Sequence, residues 1–559
     1  MKLDFFSFQT ITFISFFICI CIETIGQKGL APAQYMIEFT DKPNTTIDET
    51  ELQNYFSSRA FARREKYDIL FDKNDYPVNQ EYIDSLRALN LTILYKSKWL
   101  NAVVIQSVDT LLLDTLHNIS FILDNRPLQS HRKTVYDKIE KFKNPRSTDN
   151  MFDYVPYDNY GEASNQLKML MGHVLHRDGY RGEGLHIAVI DAGFDGVDEL
   201  PVFDSIRVNN RILGGWDFVE NDYLSYSAHY HGTSVLSIMA GNLKDKYLGT
   251  APQASYLLLR TEDASSEYLI EEFLWILAAE YSDSAGVDII CTSLGYEYFD
   301  DSTQNHTYCD MNGINTIISW AALIAARKGI LVVTSAGNSG SKSWKYITAP
   351  ADADSIIAVG AVNSDGDYAK FSSQGPTVDG RTKPEVVAQG VSTSLQKANG
   401  TIGNSSGTSY AAPLIAGLSA CLWQRYPDLN NMAIRQKILE SSEHYENPDF
   451  FYGYGIPDFA LAAGLEVGIN NLPEQNPIII APNPFHDTFS IHFENIYNTI
   501  IVTIFDTNGR KLLTETHEQH SAFHQAIEIQ SSGLLSPGVY IVKIALQDNI
   551  HNFKLLKTN

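Results

Sequence analysis

The sequence predicts an α/β fold, a parallel sheet with helices on both faces. A small α+β unit precedes it and a β-sandwich follows it. Three observations predict this. Between residues 160 and 465, short continuous apolar runs alternate with helical stretches, the mark of strands buried on both faces. Before residue 127, strand-like and helix-like patterns mix. After residue 478, apolar residues alternate with polar ones and turn signals recur. The expected organisation is a leader at 1–26, an α+β unit at 27–127, a linker at 128–159, the α/β domain at 160–465, a second linker at 466–477 and a β-sandwich at 478–559.

The leader reads Met1-Lys2, then an apolar run over 5–22, a signal-peptide pattern with small residues in Thr24-Ile25-Gly26 before Gln27. An uncleaved anchor and lipidation at Cys19 or Cys21 are the alternatives, although Ile18 and Ile20 are bulky where lipid attachment needs a small residue. No other stretch is long and apolar enough to span a bilayer.

In the α+β unit, Tyr35-Met36-Ile37-Glu38-Phe39 alternates like a strand, 83–91 reads as a helix, and Ala102-Val103-Val104-Ile105 reads as a buried strand. The polar, basic stretch 131–146 is a solvated linker or a linker that is cut. In the α/β region, strands are expected at 186–190, 256–259, 287–291 and 330–333, with helices at 271–281 and 316–328. Toward the C-terminus, Val502-Thr503-Ile504-Phe505 runs into the hairpin signal Asp506-Thr507-Asn508-Gly509, and Pro537-Gly538 precedes another strand.

Composition bounds the function. Hydrophobic residues make up 44% and charged residues 19%, enough to bury a core. The net charge of -24 argues against a nucleic-acid binder, which needs a basic surface to neutralise phosphates. Beyond the leader there are three cysteines, Cys291, Cys309 and Cys421, an odd number that is no disulfide framework. A single Cys291–Cys309 bridge and three free thiols are both consistent with it.

Three reactive side chains sit at the end of a strand or the start of a helix. Asp191 follows the strand 187–190. His231 opens His231-Gly232-Thr233-Ser234 ahead of an apolar helical stretch. Ser409 lies in Gly407-Thr408-Ser409-Tyr410-Ala411-Ala412-Pro413 ahead of another. Acyl transfer needs a hydroxyl nucleophile, an imidazole to take its proton, and a carboxylate to orient the imidazole. The order Asp, His, Ser is that of subtilisin and differs from those of chymotrypsin and the α/β-hydrolases. An oxyanion stabiliser is supplied by the Asn338 amide in Ser335-Ala336-Gly337-Asn338, with the Ser409 N–H as a second donor at a helix start. Singly, each residue has a plain structural reading as a turn former or cap. His229 reads as a loop histidine.

These blocks resemble the subtilisin-like serine proteases, the subtilases (peptidase S8). Ile187-Ala188-Val189-Ile190-Asp191-Ala192-Gly193, His231-Gly232-Thr233 and the block around Ser409 match the family's three motifs, and Asn338 falls on its oxyanion asparagine. The resemblance implies a site at the carboxyl ends of the strands and a secreted endopeptidase working through an acyl-enzyme. Ser293-Leu294-Gly295 resembles the edge that pairs with substrate backbone. Ser335, Ala336 and Gly337 would wall the pocket for the residue before the cut, and their small size implies room for a large side chain. No cofactor is required for the chemistry, no metal takes part, and the family leaves room for structural calcium. Asp300 with Asp301, and Asp352 with Asp354, are the acidic pairs that come into question, although neither has EF-hand spacing. Cys291 stands where the family commonly has asparagine, and Glu385 where aspartate is more usual.

Tyr35 to Lys42 and Ser97-Lys98-Trp99-Leu100-Asn101-Ala102 resemble the inhibitor-like propeptide of such enzymes. That implies an intramolecular folding helper and inhibitor, removed by a cut between 127 and 160. Pro482-Asn483-Pro484-Phe485, Asp506-Thr507-Asn508-Gly509-Arg510 and Gly538-Val539-Tyr540-Ile541 resemble the sorting domain of type IX secretion in Bacteroidota. The partners implied are polypeptide substrates, the chain's own propeptide and the type IX machinery. The product is expected to be a monomer, secreted or held at the cell surface. A silent binding protein on the same fold and an esterase of another fold are the rivals. No triad member is missing, and the serine motif is not Gly-x-Ser-x-Gly.

Overall fold

The computed structural model describes residues 32–43, 49–107, 109–130, 160–465, 478–493, 499–507, 509–518, 526–530, 535–546 and 549–558. The expected leader, residues 131–159 of the first linker and the second linker lie outside them. The chain divides into two compact units, 1–465 and 466–559.

The first unit opens with a four-stranded antiparallel sheet. Its strands are β1 (Pro32–Phe39), β2 (Thr92–Ser97), β3 (Ala102–Gln106) and β4 (Ile122–Ser130), in the order β2-β3-β1-β4. β4 runs three residues past the boundary expected at 127 because its pairing with β1 continues to Pro32↔Ser130. Alternation divides the two faces of this sheet. Tyr35, Ile37, Phe39, Val103 and Ile105 bury one face under the helices Gln80–Ala88 and Thr110–Leu116. Met36, Ala102, Val104 and Leu128 turn the other way and join an apolar cluster of the main domain.

The main domain is built on an eight-stranded sheet. Its strands are β5 (His186–Asp191), β6 (Ile212–Asp217), β7 (Asp222–Tyr223), β8 (Ser255–Arg260), β9 (Ile289–Thr292), β10 (Leu331–Ser335), β11 (Ile357–Val362) and β12 (Val386–Gln389). The order is β12-β11-β10-β9-β5-β8-β6-β7. All pairs are parallel except the last, where the short edge strand β7 runs antiparallel to β6. β5 shows why the strands are apolar throughout. Ile187 and Val189 enter the cluster on one face, Ala188 and Ile190 the cluster on the other.

Helices α1 (His231–Ala240) and α4 (Thr408–Arg425) cover the first face. Helices α2 (Ile270–Ala285) and α3 (Ile317–Arg327) cover the second. α2 outruns the expected 271–281 and stops at Gly286, whose φ of +80° only glycine adopts readily. Thr316 caps α3 by accepting from the Ser319 N–H.

α2 is also where the N-terminal sheet docks. The Glu280 carboxylate accepts from Ser97 Oγ at 2.5 Å, from the Lys98 N–H at 3.1 Å and from the Trp99 N–H at 3.0 Å. Below it lies a buried ionic network. Arg63 and Arg64, from the helix Ser58–Lys66, reach Asp283 at 2.5 and 2.8 Å, and Lys328 reaches Asp75 at 2.7 Å. Burial raises the cost of breaking any one of these pairs, since removal of one partner strands the other charge.

The second unit is a β-sandwich. Strands Ile478–Ala481, Thr488–Phe493 and Ala526–Gln530 form one sheet; Lys511–Glu518, Thr499–Asp506, Gly538–Leu546 and Asn549–Lys557 form the other. Phe489, Ile491, Val502, Ile504, Val542 and Ile544 fill the space between the sheets. The expected hairpin closes with Gly509 at φ +79° and a 3.0 Å bond from its N–H to the Asp506 carbonyl. Asn508 lies outside the described residues. Among the described residues no helix is long and apolar enough to cross a membrane.

Candidate active site

Asp191 and His231 pair at the carboxyl end of the sheet, and Ser409 lies against Ser293, the residue after β9. Asp191 is the last residue of β5 and is fully buried. His231 is the first residue of α1, and Ser409 the second of α4. His231 Nδ1 lies 2.8 Å from Asp191 Oδ1, which also accepts the Ala192 N–H at 2.7 Å. Two bonds to one oxygen fix the carboxylate plane, while Oδ2 is buried without a partner.

The motif glycines make this approach sterically feasible. A Cβ on Gly232 would lie 2.5 Å from the Gly193 carbonyl oxygen and 2.9 Å from Asp191 Cβ. Gly193 has φ +149°, and a Cβ there would lie 2.4 Å from the His229 backbone nitrogen. His229 is thus a loop residue beside the site, as read from the sequence, with its Nδ1 accepting the His231 N–H at 3.3 Å.

Opposing effects act on the His231 imidazole. Burial, the largest, favours the neutral ring; the Asp191 charge and hydrogen bond outweigh it, so the pKa lies above the ordinary 6.5. The Tyr410 ring packs 5.8 Å from the imidazole.

Ser409 Oγ donates to the Ser293 carbonyl at 3.3 Å, and Ser293 Oγ donates to the Ser409 carbonyl at 2.8 Å. Asn338 stands just past β10 and is exposed. Its Oδ1 accepts from the Thr408 N–H at 2.9 Å and from Thr408 Oγ1 at 3.1 Å. With the oxygen so engaged, the amide NH₂ is left as the donor end of the side chain, next in sequence to the wall Ser335-Ala336-Gly337.

The two segments expected to hold substrate lie side by side, with Ser335 Oγ donating to the Leu294 carbonyl at 3.4 Å. Sequence reasoning missed a third element. Thr348 stands between them: a Cβ on Gly295 would lie 2.2 Å from Thr348 Oγ1, and one on Gly337 would lie 2.9 Å from it. A lone threonine after an apolar residue carries no motif signal. Also unread was Glu297, whose carboxylate accepts Ser339 Oγ at 2.7 and 2.9 Å.

Among the described residues, one carboxylate group could hold a cation: Glu262, Glu267 and Glu271, with ligand oxygens within 4.8 Å of one another. Internal bonds already occupy much of it. Glu262 accepts from the Tyr296 and Thr261 hydroxyls, and Glu271 from the Asp263 and Tyr268 N–H groups. Burial pushes Glu262 up to about 7 and Glu267 up to about 8, so this cluster carries fewer negative charges than its count of acids. The acids singled out in sequence are engaged as well, Asp300 at the edge of this cluster. Asp352 accepts from Ser319 and Gly313, Asp301 from Thr303, Asp300 from the Glu267 N–H and Asp354 from Ser355.

Cys291 and Cys421 are buried, Cys309 is exposed and all three are free thiols, so the Cys291–Cys309 alternative is not formed. Cys291 sits within β9, where its thiol fills the apolar cluster. Glu385 pairs with Lys383 at 2.7 Å and Arg435 at 3.1 Å, away from the site.

The model for the subtilase family matches residues 182–455, that for the peptidase S8 propeptide domain of Bacteroidota matches 34–144, and that for the secretion system C-terminal sorting domain matches 479–558. Subtilisin E of Bacillus subtilis (strain 168) is 32% identical over 315 residues, covering 56% of this chain and 74% of its own. Subtilisin of Bacillus pumilus is 32% identical over 301 residues, covering 53% and 97%. Among solved structures, MycP1 from Mycobacterium smegmatis is 21% identical, with a TM-score of 0.43 over 59% of this chain and 92% of that one. The sorting domain implies type IX secretion, and so a secreted or cell-surface product. The chain belongs to the subtilase family: it is a subtilisin-type serine endopeptidase carrying an S8 propeptide and a C-terminal sorting domain.

Proposed function

We propose that Ser409 is the nucleophile, His231 the general base and acid, and Asp191 the group that orients the imidazole. Asn338 and the Ser409 N–H hold the oxyanion. The observation that carries this reading is the 2.8 Å Asp191–His231 pair set beside an Asn338 amide fixed by Thr408, the residue before Ser409.

Substrate backbone adds as a strand along Ser293-Leu294-Gly295, with Ser335, Ala336 and Gly337 as the facing wall. The side chain of Ser409 rotates from Ser293 toward His231, which takes its proton as Oγ attacks the peptide carbonyl. The tetrahedral oxyanion is met by the Asn338 amide and the first-turn N–H of α4. His231 returns the proton to the leaving amine, and water releases the acyl-enzyme by the same route. Structural calcium would serve stability rather than chemistry.

Maturation removes 27–127 and the adjoining linker, by a cut that the enzyme makes itself. The docking of that segment on α2 through Glu280 and its apolar face supports its role as resident inhibitor. The mature domain then comprises 160–465 and acts as a monomer outside the cell, either released or anchored.

The test is hydrolysis of casein by protein whose propeptide has been removed with an added protease that is then taken away, since inactive variants would not process themselves. Wild type should cleave it, while Ser409→Ala and His231→Ala should remain at background. Equal activity in the Ser409→Ala protein would overturn the assignment.

A further inference from the structure

We propose that Thr348 sets the depth and polarity of the pocket for the residue before the cut. The enzyme then prefers small side chains there, serine and alanine ahead of aromatic and long aliphatic ones. This rests on the proteolytic reading above and reverses the expectation drawn from the small size of Ser335, Ala336 and Gly337.

The pocket walls are backbone, and each presents a glycine to the gap. Gly295 comes from the substrate edge and Gly337 from the segment after β10. Thr348 Oγ1 lies against both, within 2.2 Å of where a Cβ on Gly295 would stand and 2.9 Å of one on Gly337. A single hydroxyl therefore touches both walls and closes the slot at that depth. A phenyl or isobutyl group that reached it would have to displace the threonine.

Thr348 has nowhere to go. Its N–H donates to the Ala336 carbonyl at 3.3 Å, and its carbonyl accepts the Ala351 N–H at 2.7 Å. The next residue, Ala349, exchanges two bonds with Tyr296, at 2.8 and 3.2 Å. The β-branched side chain is stiff about χ1 as well. Both flanking segments are thus tied to the backbone of this residue, and a wider slot would require all three to move.

The second observation concerns polarity. Thr348 is 3% exposed, and its Oγ1 has no hydrogen-bond partner. Buried hydroxyls are normally paired. On this proposal the orphan hydroxyl between Gly295 and Gly337 is satisfied by the side chain that enters there. A serine hydroxyl is short enough to stop above the threonine and polar enough to pair with it. Alanine fits without pairing, and phenylalanine does neither.

The test is kcat/KM for peptides that differ only in the residue before the cut: alanine, serine, leucine or phenylalanine. Rates are normalised to active sites titrated with a fluorophosphonate. Wild type should favour serine and alanine over phenylalanine and leucine by about tenfold or more. Thr348→Gly should shift the phenylalanine-to-alanine ratio upward by about tenfold or more. Thr348→Val keeps the bulk and loses the hydroxyl. It should still reject phenylalanine but lose the advantage of serine over alanine, and it serves equally if the glycine variant does not fold. Wild type that cleaves after phenylalanine as fast as after alanine overturns the proposal. So does an unchanged phenylalanine-to-alanine ratio in a titratable Thr348→Gly enzyme, or an unchanged serine-to-alanine ratio in a titratable Thr348→Val enzyme. Processed wild type with no titratable site and no cleavage of any peptide would overturn the proteolytic reading itself.

Discussion

Ser409 and Ser293 are cross-bonded: each hydroxyl donates to the other's carbonyl, at 3.3 and 2.8 Å. The turn that carries Ser409 and the segment Ser293-Leu294-Gly295 are therefore held as one piece. The Ser409 hydroxyl rests on a carbonyl, which accepts its hydrogen bond but does not take its proton. Ser293→Ala removes one of the two ties while leaving the nucleophile. Loss of one neutral hydrogen bond amounts to about 0.5–1.5 kcal/mol. The expected result is a fall in kcat/KM of up to about tenfold, measured on a peptide ester or amide.

Asp191 governs the pH profile. A general base must be neutral, and the Asp191 contact raises the His231 pKa above 6.5 against the opposing effect of burial. Activity should therefore be lost as pH falls through a value above 6.5. Asp191→Asn removes the raising effect, so the acid limb of kcat/KM should move to lower pH. The plateau should fall by about 10⁴ because the amide no longer holds the productive tautomer. An acid limb that stays in place would contradict the assignment of that limb to His231.

Asn338→Ala should lower kcat by about 10²–10³ with little change in KM, the range established for such a donor in subtilisin. The same substitution removes the acceptor of the Thr408 N–H and hydroxyl. A loss of about 1 kcal/mol in stability should accompany it. Thermal unfolding of the catalytically silent Ser409→Ala protein, with and without the second change, separates the two effects.

Glu280 ties the N-terminal sheet to α2. Its carboxylate gathers three donors from the turn between β2 and β3. Hydrogen bonds to a charged group are each worth about 1.5–3 kcal/mol. Glu280→Gln keeps the volume and weakens the acceptor, so the inhibitory segment should leave at least about tenfold sooner. A time course of activity after secretion, followed beside the mass of the chain, measures it. An unchanged lag would place the rate-limiting contact elsewhere.

Much of this was legible in the sequence because the signals are local. Asp191 ends an unbroken apolar strand, His231 and Ser409 begin apolar helices, and the glycines beside them admit close backbone contact. The central strands β5, β8, β9 and β10 and the helices α2 and α3 follow from runs of apolar residues alone, while the outer strands β6, β7, β11 and β12 went unread. What escaped is held by distant contacts with no local pattern. Thr348 is a single residue whose meaning depends on two glycines in other segments. Lys328 meets Asp75 across 253 residues, and Ser97 meets Glu280 across 183. The direction of the Ser409 hydroxyl is a rotamer, which sequence does not encode apart from its neighbours.

The central claim is that Ser409 is an activated nucleophile once the propeptide has gone. Labelling of the secreted protein with a fluorophosphonate, beside Ser409→Ala and with intact mass on both, tests it most directly. The account predicts one adduct, on Ser409, in wild-type chains from which the propeptide has been lost, and none in the variant. Fully processed wild-type protein that takes no label would contradict it.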